Sequence, residues 1–148
     1  MTEQEKKELQ ERVKSVIERV NNAAVQAGRD PSEITLVAAT KMNDAERVQA
    51  AIEAGIRVCG ENRVQELQEK YEQNAYDGAD LQFIGTLQTN KVKYLIGKVS
   101  LIQSVGSVHL GEGFKIIRHS HRQIIHIYII VFFRQNVNKY LTHFGKVV

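Results

Sequence analysis

Short apolar segments alternate with amphipathic segments through most of the chain, and this alternation constrains the fold more than any other feature of the sequence. Four segments have the length and the apolar, β-branched composition of buried strands, at residues 34–40, 56–59, 81–85 and 100–105. Each of the first three is followed by apolar residues at helical spacing. Such alternation favours a parallel sheet with right-handed crossovers. Doubly wound sheets and (β/α) barrels both satisfy the pattern, so periodicity does not choose between them.

The helical segments carry signals that define their ends and their expected inward faces. In the first segment, Thr2 and Glu5 have the spacing of a capping box, and Gly28 and Pro31 mark the end of the helix. Its predicted inward face consists of Val13, Val16, Ile17, Val20 and Ala24. The third helix is expected to bury Val64, Leu67 and Tyr71, and the fourth to bury Val92, Leu95 and Ile96.

The composition excludes several classes of protein. The single cysteine, Cys59, excludes an internal disulfide framework, fits a reducing compartment and is expected to be a small buried residue. The charged N-terminus lacks the apolar region of a secretory signal, and no apolar run approaches the roughly 20 residues that span a bilayer. We therefore expect a cytoplasmic protein without a membrane partner. Basic residues are in excess only after residue 110 and are scattered there, so no nucleic-acid partner is expected either.

The chain changes character after about Val108. All five histidines lie beyond it, acidic residues almost vanish, and residues 123–133 form a β-prone run without a polar face. We expect residues 1–108 to form a partial α/β domain and residues 109–148 to form a divergent tail. The tail is either an ordinary terminal element of unusual composition or the product of a changed reading frame. We favour the second interpretation, because native sequences tend to be locally consistent.

Lys41 stands directly after the first predicted strand, where parallel α/β folds place their active residues. A lysine there can form an imine with an aldehyde cofactor. That chemistry requires a neutral amine, and hence a site that lowers the lysine pKa by desolvation or by a nearby cation. The preceding Val37, Ala38 and Ala39 offer an apolar wall of small residues. The alternative is that Lys41 only ends the strand and extends into water.

The turn after the second predicted strand, Gly60–Arg63, contains two further candidates. Asn62 is most simply a helix N-cap, with Gln65 completing the bond pattern three residues later, and the functional alternative places Asn62 beside a ligand. Glu61 is either the electrostatic partner of a buried lysine or an acid at the start of a helix.

Two other patterns are expected to be structural or accidental. Residues 85–91 could bind an anion at a helix N-terminus, but the glycines of a phosphate-binding loop are absent, so capping by Thr89 or Asn90 is favoured. His119 and His121 could share one face of a strand, but no third ligand is evident, so no metal site is expected.

Four linked motifs carry a resemblance to a known family, at Leu36–Lys41, Gly60–Glu66, Phe83–Lys91 and Leu101–Val105. In this order and spacing they make the chain resemble the pyridoxal phosphate homeostasis protein family over residues 1 to about 108. The resemblance implies a (β/α)8 TIM-type barrel similar to the N-terminal domain of alanine racemase, of which this chain would be the N-terminal half. It also implies that Lys41 holds pyridoxal 5'-phosphate (PLP) as a Schiff base and that Asn62 lies near the cofactor.

The same resemblance implies a role in PLP homeostasis, with PLP and PLP-dependent enzymes as partners and no strong catalytic activity. Gln82 stands where the family commonly has a histidine. A complete barrel has about 250 residues in eight βα units. This chain leaves the family pattern after four strands, so the phosphate-binding loop is expected to be missing and PLP binding to be impaired. A racemase-like PLP enzyme and a non-functional truncated fragment remain the alternatives, and the oligomeric state stays open.

Overall fold

A computed structural model of the chain describes residues 1–104 and the backbone of residues 126 and 127. The helices are α1 (Glu3–Gln26), α2 (Ala45–Glu53) and α3 (Val64–Glu72), with two 3₁₀ helices at Pro31–Glu33 and Thr89–Tyr94. The strands are β1 (Val37–Ala39), β2 (Val58–Glu61), β3 (Asp80–Phe83), β4 (Leu101–Ile102) and β5 (His126–Ile127). The predicted domain boundary near residue 108 lies outside the described residues, as does the rest of the predicted tail.

The five strands that the structure describes form one parallel sheet in the order β1-β2-β3-β4-β5. Ala39 is in register with Gly60, and Glu61 is in register with Phe83. Parallel strands that pair in this way end at the same edge of the sheet, so the residues that follow β1, β2 and β3 are neighbours there. The predicted α/β class with a parallel sheet is confirmed.

Helix α1 begins as its sequence predicts. The Thr2 hydroxyl accepts a hydrogen bond from the Glu5 N–H, and the Glu5 carboxylate accepts one from the Thr2 N–H, so the capping box is complete. Ala24 is buried, but Val16 is 45% exposed, so the predicted inward face was too wide. Among the α-helices of residues 1–104, α1 packs mainly on α2. Because a single neighbouring helix covers only a narrow stripe of the α1 surface, Val16 stays exposed.

Strand β1 is less buried than predicted. Val37 and Ala38 are half-buried and Ala39 is exposed, whereas the apolar run predicted a strand covered on both faces. The reason is its place in the sheet, because β1 is the end strand of the described order and pairs only with β2 there. The apolar wall expected around Lys41 is therefore incomplete within the described residues.

The fourth helical segment is a 3₁₀ helix at Thr89–Tyr94 instead of an α-helix. Its N-cap is Gln88 and no side chain caps it, so the predicted capping by Thr89 or Asn90 was wrong. Val92 and Leu95 are nonetheless fully buried, as predicted. A spacing of three residues places two side chains on one face in either kind of helix, so the sequence could not distinguish them.

The hydrophobic core lies between the helices and the sheet. Its largest fully buried apolar side chains are Phe83, Leu67, Leu95, Ile102, Val48 and Val92. These residues come from β3, β4, α2, α3 and the segment at residues 89–95. Cys59 of β2 belongs to the same core, and partly buried residues of α1 and β1 pack against it. None of the helices in residues 1–104 combines the length and the apolar composition of a membrane span.

Candidate functional site

Lys41 lies one residue beyond Thr40 at the C-terminal end of β1, and its side chain is exposed. It forms no ion pair with any side chain in residues 1–104. The position after the strand was predicted correctly. The desolvated environment that the imine chemistry requires is not formed by residues 1–104, because Ala39 is also exposed and these residues do not enclose the Lys41 amine.

Side chains of α3 bind the backbone on both sides of Lys41, and Glu61 of β2 binds the side chain of Thr40. The Thr40 carbonyl accepts a hydrogen bond from the Lys70 ammonium at 2.7 Å, and the Thr40 hydroxyl donates to Glu61 Oε1 at 2.7 Å. The Met42 N–H donates to Glu66 Oε1. The Lys41 carbonyl accepts a hydrogen bond from the Asn43 side-chain amide at 3.1 Å.

A buried charged cluster lies beneath this segment. Glu61 is fully buried and Lys70 is 5% exposed, and Lys70 Nζ lies 2.8 Å from both Glu61 Oε1 and Glu66 Oε1. The Tyr76 hydroxyl donates to Glu61 Oε1 at 3.1 Å. Lys70 thus uses all three of its N–H donors, on Thr40, Glu61 and Glu66.

The cluster changes the protonation behaviour of its neighbours. Burial and the nearby Glu61 carboxylate raise the pKa of the Cys59 thiol to about 11, so Cys59 is a thiol at neutral pH, as its predicted structural role requires. Burial, with Glu61 second, also raises the pKa of Tyr76 well above its usual value. For Glu66, burial alone would raise the pKa, but hydrogen bonds from Lys70 and from the Met42 N–H outweigh it and lower the pKa.

Asn62 occupies the corresponding place after β2, but it is not the helix cap that its spacing suggested. The N-cap of α3 is Arg63, and no side chain caps this helix. The Asn62 Oδ1 atom is buried and accepts no hydrogen bond from the described residues. The structural interpretation of Asn62 was therefore wrong, and its amide oxygen keeps an unused acceptor.

A cavity of about 340 Å³ opens beside Asn62 at the ends of β2 and β3. Its lining residues are Asn62, Arg63, Val64, Gln65, Phe83, Thr86, Gln88 and Lys91. Lys41 does not line this cavity, although Lys41 and Asn62 each stand two residues beyond the register pair Ala39 and Gly60. The structure therefore places the two predicted site residues at one edge of the sheet but not in one enclosed site.

The sequence pattern did not identify Lys70 as a buried residue of α3, and it predicted the neighbouring Tyr71 to be buried instead. Tyr71 is 39% exposed, whereas Lys70 faces the sheet. Glu61 was predicted to lie in a turn, but it is fully buried at the end of β2, where an acid requires a partner. The interpretation of Glu61 as the partner of a buried lysine is correct. That lysine is Lys70, nine residues along the chain.

No cluster of metal-ligating side chains occurs in the described part of the chain, and His119 and His121 lie outside it.

Comparison with curated proteins identifies relatives, although no protein-family model matches the chain. The chain is 45% identical over 104 residues to the pyridoxal phosphate homeostasis protein of Aquifex aeolicus (strain VF5), which covers 69% of this chain and 45% of that protein. It is 42% identical over 79 residues to the protein of the same name from Escherichia coli (strain K12), which covers 51% of this chain and 34% of that protein. The resemblance predicted from four motifs is confirmed, and the chain spans less than half the length of these relatives.

Solved structures agree with the fold. A protein of unknown function from Bifidobacterium adolescentis matches with a TM-score of 0.78 and 31% identity, over 86% of this chain and 56% of that chain. PipY of Synechococcus elongatus PCC7942, solved with PLP bound, matches with a TM-score of 0.56 and 30% identity, over 68% of this chain and 48% of that chain. Both matches extend over about half of a longer protein.

Proposed function

We propose, from the premise that this chain is a partial relative of the pyridoxal phosphate homeostasis proteins, that it binds PLP and serves PLP homeostasis, with Lys41 as the residue that holds the cofactor. The names of the curated relatives and the PLP-bound structure of PipY support the cofactor. The assignment of Lys41 comes from the resemblance to this family, and this chain's own geometry supports it. When bound, PLP would supply an aldehyde, and the neutral amine of Lys41 would be the group that holds it.

One observation carries the assignment, namely the contrast between the two lysines beside Thr40. Lys70 has all three N–H donors engaged, two by buried acceptors and one by the half-buried Glu66, so a new covalent bond at its nitrogen would break the cluster. Lys41 is exposed at the C-terminal edge of the sheet and forms no ion pair within residues 1–104. In parallel α/β folds this edge carries the ligand site.

The residues at this edge fit PLP only in part. Lys41 offers an accessible amine, and Asn62 offers a buried amide oxygen without a hydrogen-bond donor from the described residues. We assign Asn62 the role of contacting the cofactor from the end of β2. No group in residues 1–104 encloses the Lys41 amine, so the proposed site needs further residues to exclude water.

We further propose that the described sheet is the N-terminal half of a (β/α)8 barrel. Its strands follow one another in chain order, β1 to β5, with parallel neighbours throughout. Doubly wound sheets reverse their strand order at a switch point, and no reversal occurs among the five described strands. Successive parallel neighbours are the arrangement from which a barrel closes.

From the half-barrel we propose that the 148-residue chain by itself binds PLP more weakly than its longer relatives. TIM-type barrels usually build their phosphate site from the loops after the last two strands. We propose no catalytic activity, because racemisation needs acid–base residues on both faces of the cofactor. PLP-dependent enzymes are the proposed partners, with neither nucleic acid nor membrane, and the cytoplasm is the proposed location.

The test is a PLP titration of the purified chain, followed by visible absorbance, borohydride trapping and peptide mapping. The matched variants are Lys41→Met and Lys14→Met, since both lysines are exposed. We expect a saturable absorbance change and a label on Lys41, both lost in Lys41→Met and retained in Lys14→Met. A label spread over many lysines, or equal labelling of Lys41→Met, would contradict the proposal. Racemisation of alanine that disappears in Lys41→Met would instead establish an enzyme.

A further inference from the structure

The segment that carries Lys41 has an unusual backbone conformation. Met42, the next residue, has φ of +62°, in the left-handed region that is unfavourable for a residue with a side chain. Its side chain is 90% exposed, so packing does not maintain this conformation. Strained residues of this kind persist where the surrounding structure fixes them, and they cluster at functional sites.

Two hydrogen bonds from α3 supply the missing constraint. Lys70 binds the carbonyl that precedes Lys41, on Thr40, and Glu66 accepts the N–H that follows it, on Met42. Lys70 and Glu66 also form an ion pair at 2.8 Å, so two residues one helical turn apart bind the backbone on both sides of Lys41. Glu61 accepts hydrogen bonds from the Lys70 ammonium at 2.8 Å and from the Thr40 hydroxyl at 2.7 Å. These bonds connect Lys70 and Thr40 to the end of β2.

The cost of this cluster indicates a role beyond stability. Removing two charges from water is unfavourable, and well-packed apolar residues often stabilise a fold equally well. Apolar residues could link α3 to the sheet, but they could not bind a backbone carbonyl and a backbone N–H. The charges are therefore suited to fixing the main chain at Lys41.

We infer that Lys70 and Glu66 are positioning residues, which hold the backbone at Lys41 so that its amine is presented to PLP in one orientation. This inference rests on the proposed function. It differs from a merely structural role, which would predict that loss of Glu66 weakens the fold but leaves the folded protein's reaction at Lys41 unchanged.

Glu66 is the better residue to substitute, because its side chain is 20% exposed whereas Glu61 is fully buried. Glu66→Ala removes the acceptor of the Met42 N–H, and Glu61 still pairs with Lys70. Glu66→Gln is the matched control, since it keeps a side-chain oxygen in place. Two measurements are made on the folded full chain, namely hydrogen exchange at the Met42 amide and the concentration of PLP that half-saturates trapping at Lys41.

In Glu66→Ala we expect the Met42 amide to exchange about tenfold faster and half-saturation at Lys41 to need about tenfold more PLP, because a hydrogen bond to a charged group is lost. In Glu66→Gln we expect both changes to stay within about threefold, because a weaker neutral bond remains. Unchanged exchange in Glu66→Ala, or faster exchange with unchanged half-saturation, would overturn the positioning role.

Failure of the proposed function gives a different result. In that case the unsubstituted chain is not labelled at Lys41, and the positioning role falls with the function. If the unsubstituted chain and Glu66→Ala are both labelled at Lys41 with equal half-saturation, only the positioning role is lost.

Discussion

The two sides of the sheet's C-terminal edge differ in how they are built. The end of β2 and β3, which we call the closed end, comprises Cys59–Asn62, Phe83–Gly85 and the side chain of Lys70. The end of β1, which we call the open end, comprises Lys41–Asn43. The closed end contains a fully buried carboxylate and a buried ammonium, whereas Lys41, Met42 and Asn43 are all exposed.

This difference between the two ends distinguishes the roles of two lysines, Lys70 and Lys41, that lie near the C-terminal end of β1. Lys70 is held by three acceptors and serves the fold, and Lys41 is accessible and serves the proposed chemistry. A buried and paired lysine is therefore not by itself the candidate for a cofactor. The closed end also helps to determine the conformation of the open end. Lys70 binds the Thr40 carbonyl before Lys41, and Glu66 of α3, which is bonded to Lys70, binds the Met42 N–H after it.

The largest effect should distinguish the two lysines by stability. Lys70→Met leaves the Glu61 carboxylate buried without a cation and should cost about 3–5 kcal/mol of unfolding free energy. Lys41→Met, at an exposed position, should change it by less than about 0.5 kcal/mol. Urea unfolding of both variants measures the difference. The double variant Glu61→Gln/Lys70→Met should recover part of the loss, and equal effects of the two single substitutions would break the comparison.

The tight packing of the closed end gives the next effect. A Cβ added at Gly85 would lie 2.1 Å from the Asn62 carbonyl oxygen, which is backbone and cannot rotate away. We expect Gly85→Ala to cost about 2–3 kcal/mol in thermal or urea unfolding. Gly28→Ala is the control, because nothing lies near its Cβ and only its φ of +71° opposes it, at about 1 kcal/mol. A smaller loss at Gly85 than at Gly28 would contradict the packing.

High pH should lower the free energy of unfolding, because the buried Cys59 thiol of the closed end resists deprotonation in the folded state. Because its pKa is raised in the folded state, the folded chain binds more protons than the unfolded chain above the ordinary value of 9.0. Its contribution to stability is complete below that pH and is lost as the pH rises through about 11. Urea unfolding across this range should show a decline that is shallower in Cys59→Ala. An identical slope in both proteins would mean that Cys59 is not desolvated.

The smallest effect should come from the open end. Met42→Gly removes the strain of a positive φ in the folded state but raises the conformational entropy of the unfolded chain. Because these two effects partly cancel, the unfolding free energy should change by less than about 1 kcal/mol. The Met42 N–H is retained, and its hydrogen bond to Glu66 with it. Chemical denaturation measures the change, and a loss of several kcal/mol would show that the exposed Met42 side chain stabilises the fold.

Much of the fold could be predicted from local patterns. The capping box at Thr2, the strand before Lys41 and the burial of Val92 and Leu95 all depend on neighbours a few residues away in the sequence. Where local patterns allowed two answers, prediction failed. Asn62 has the spacing of an N-cap, yet the chain enters the helix one residue later, at Arg63.

The sequence was sufficient to establish the alternation of strands and helices, the place of Lys41 after a strand, and the resemblance to the pyridoxal phosphate homeostasis proteins. Only the tertiary structure decided the rotation of α3, the order of the strands and the exposure of β1. It brings Lys70 onto Thr40, 30 residues earlier in the chain, and buries Glu61 between them. The physical reason is that burying an ion pair requires both charges and their hydrogen-bond partners to meet across the fold, and periodicity along one helix contains no information about that meeting.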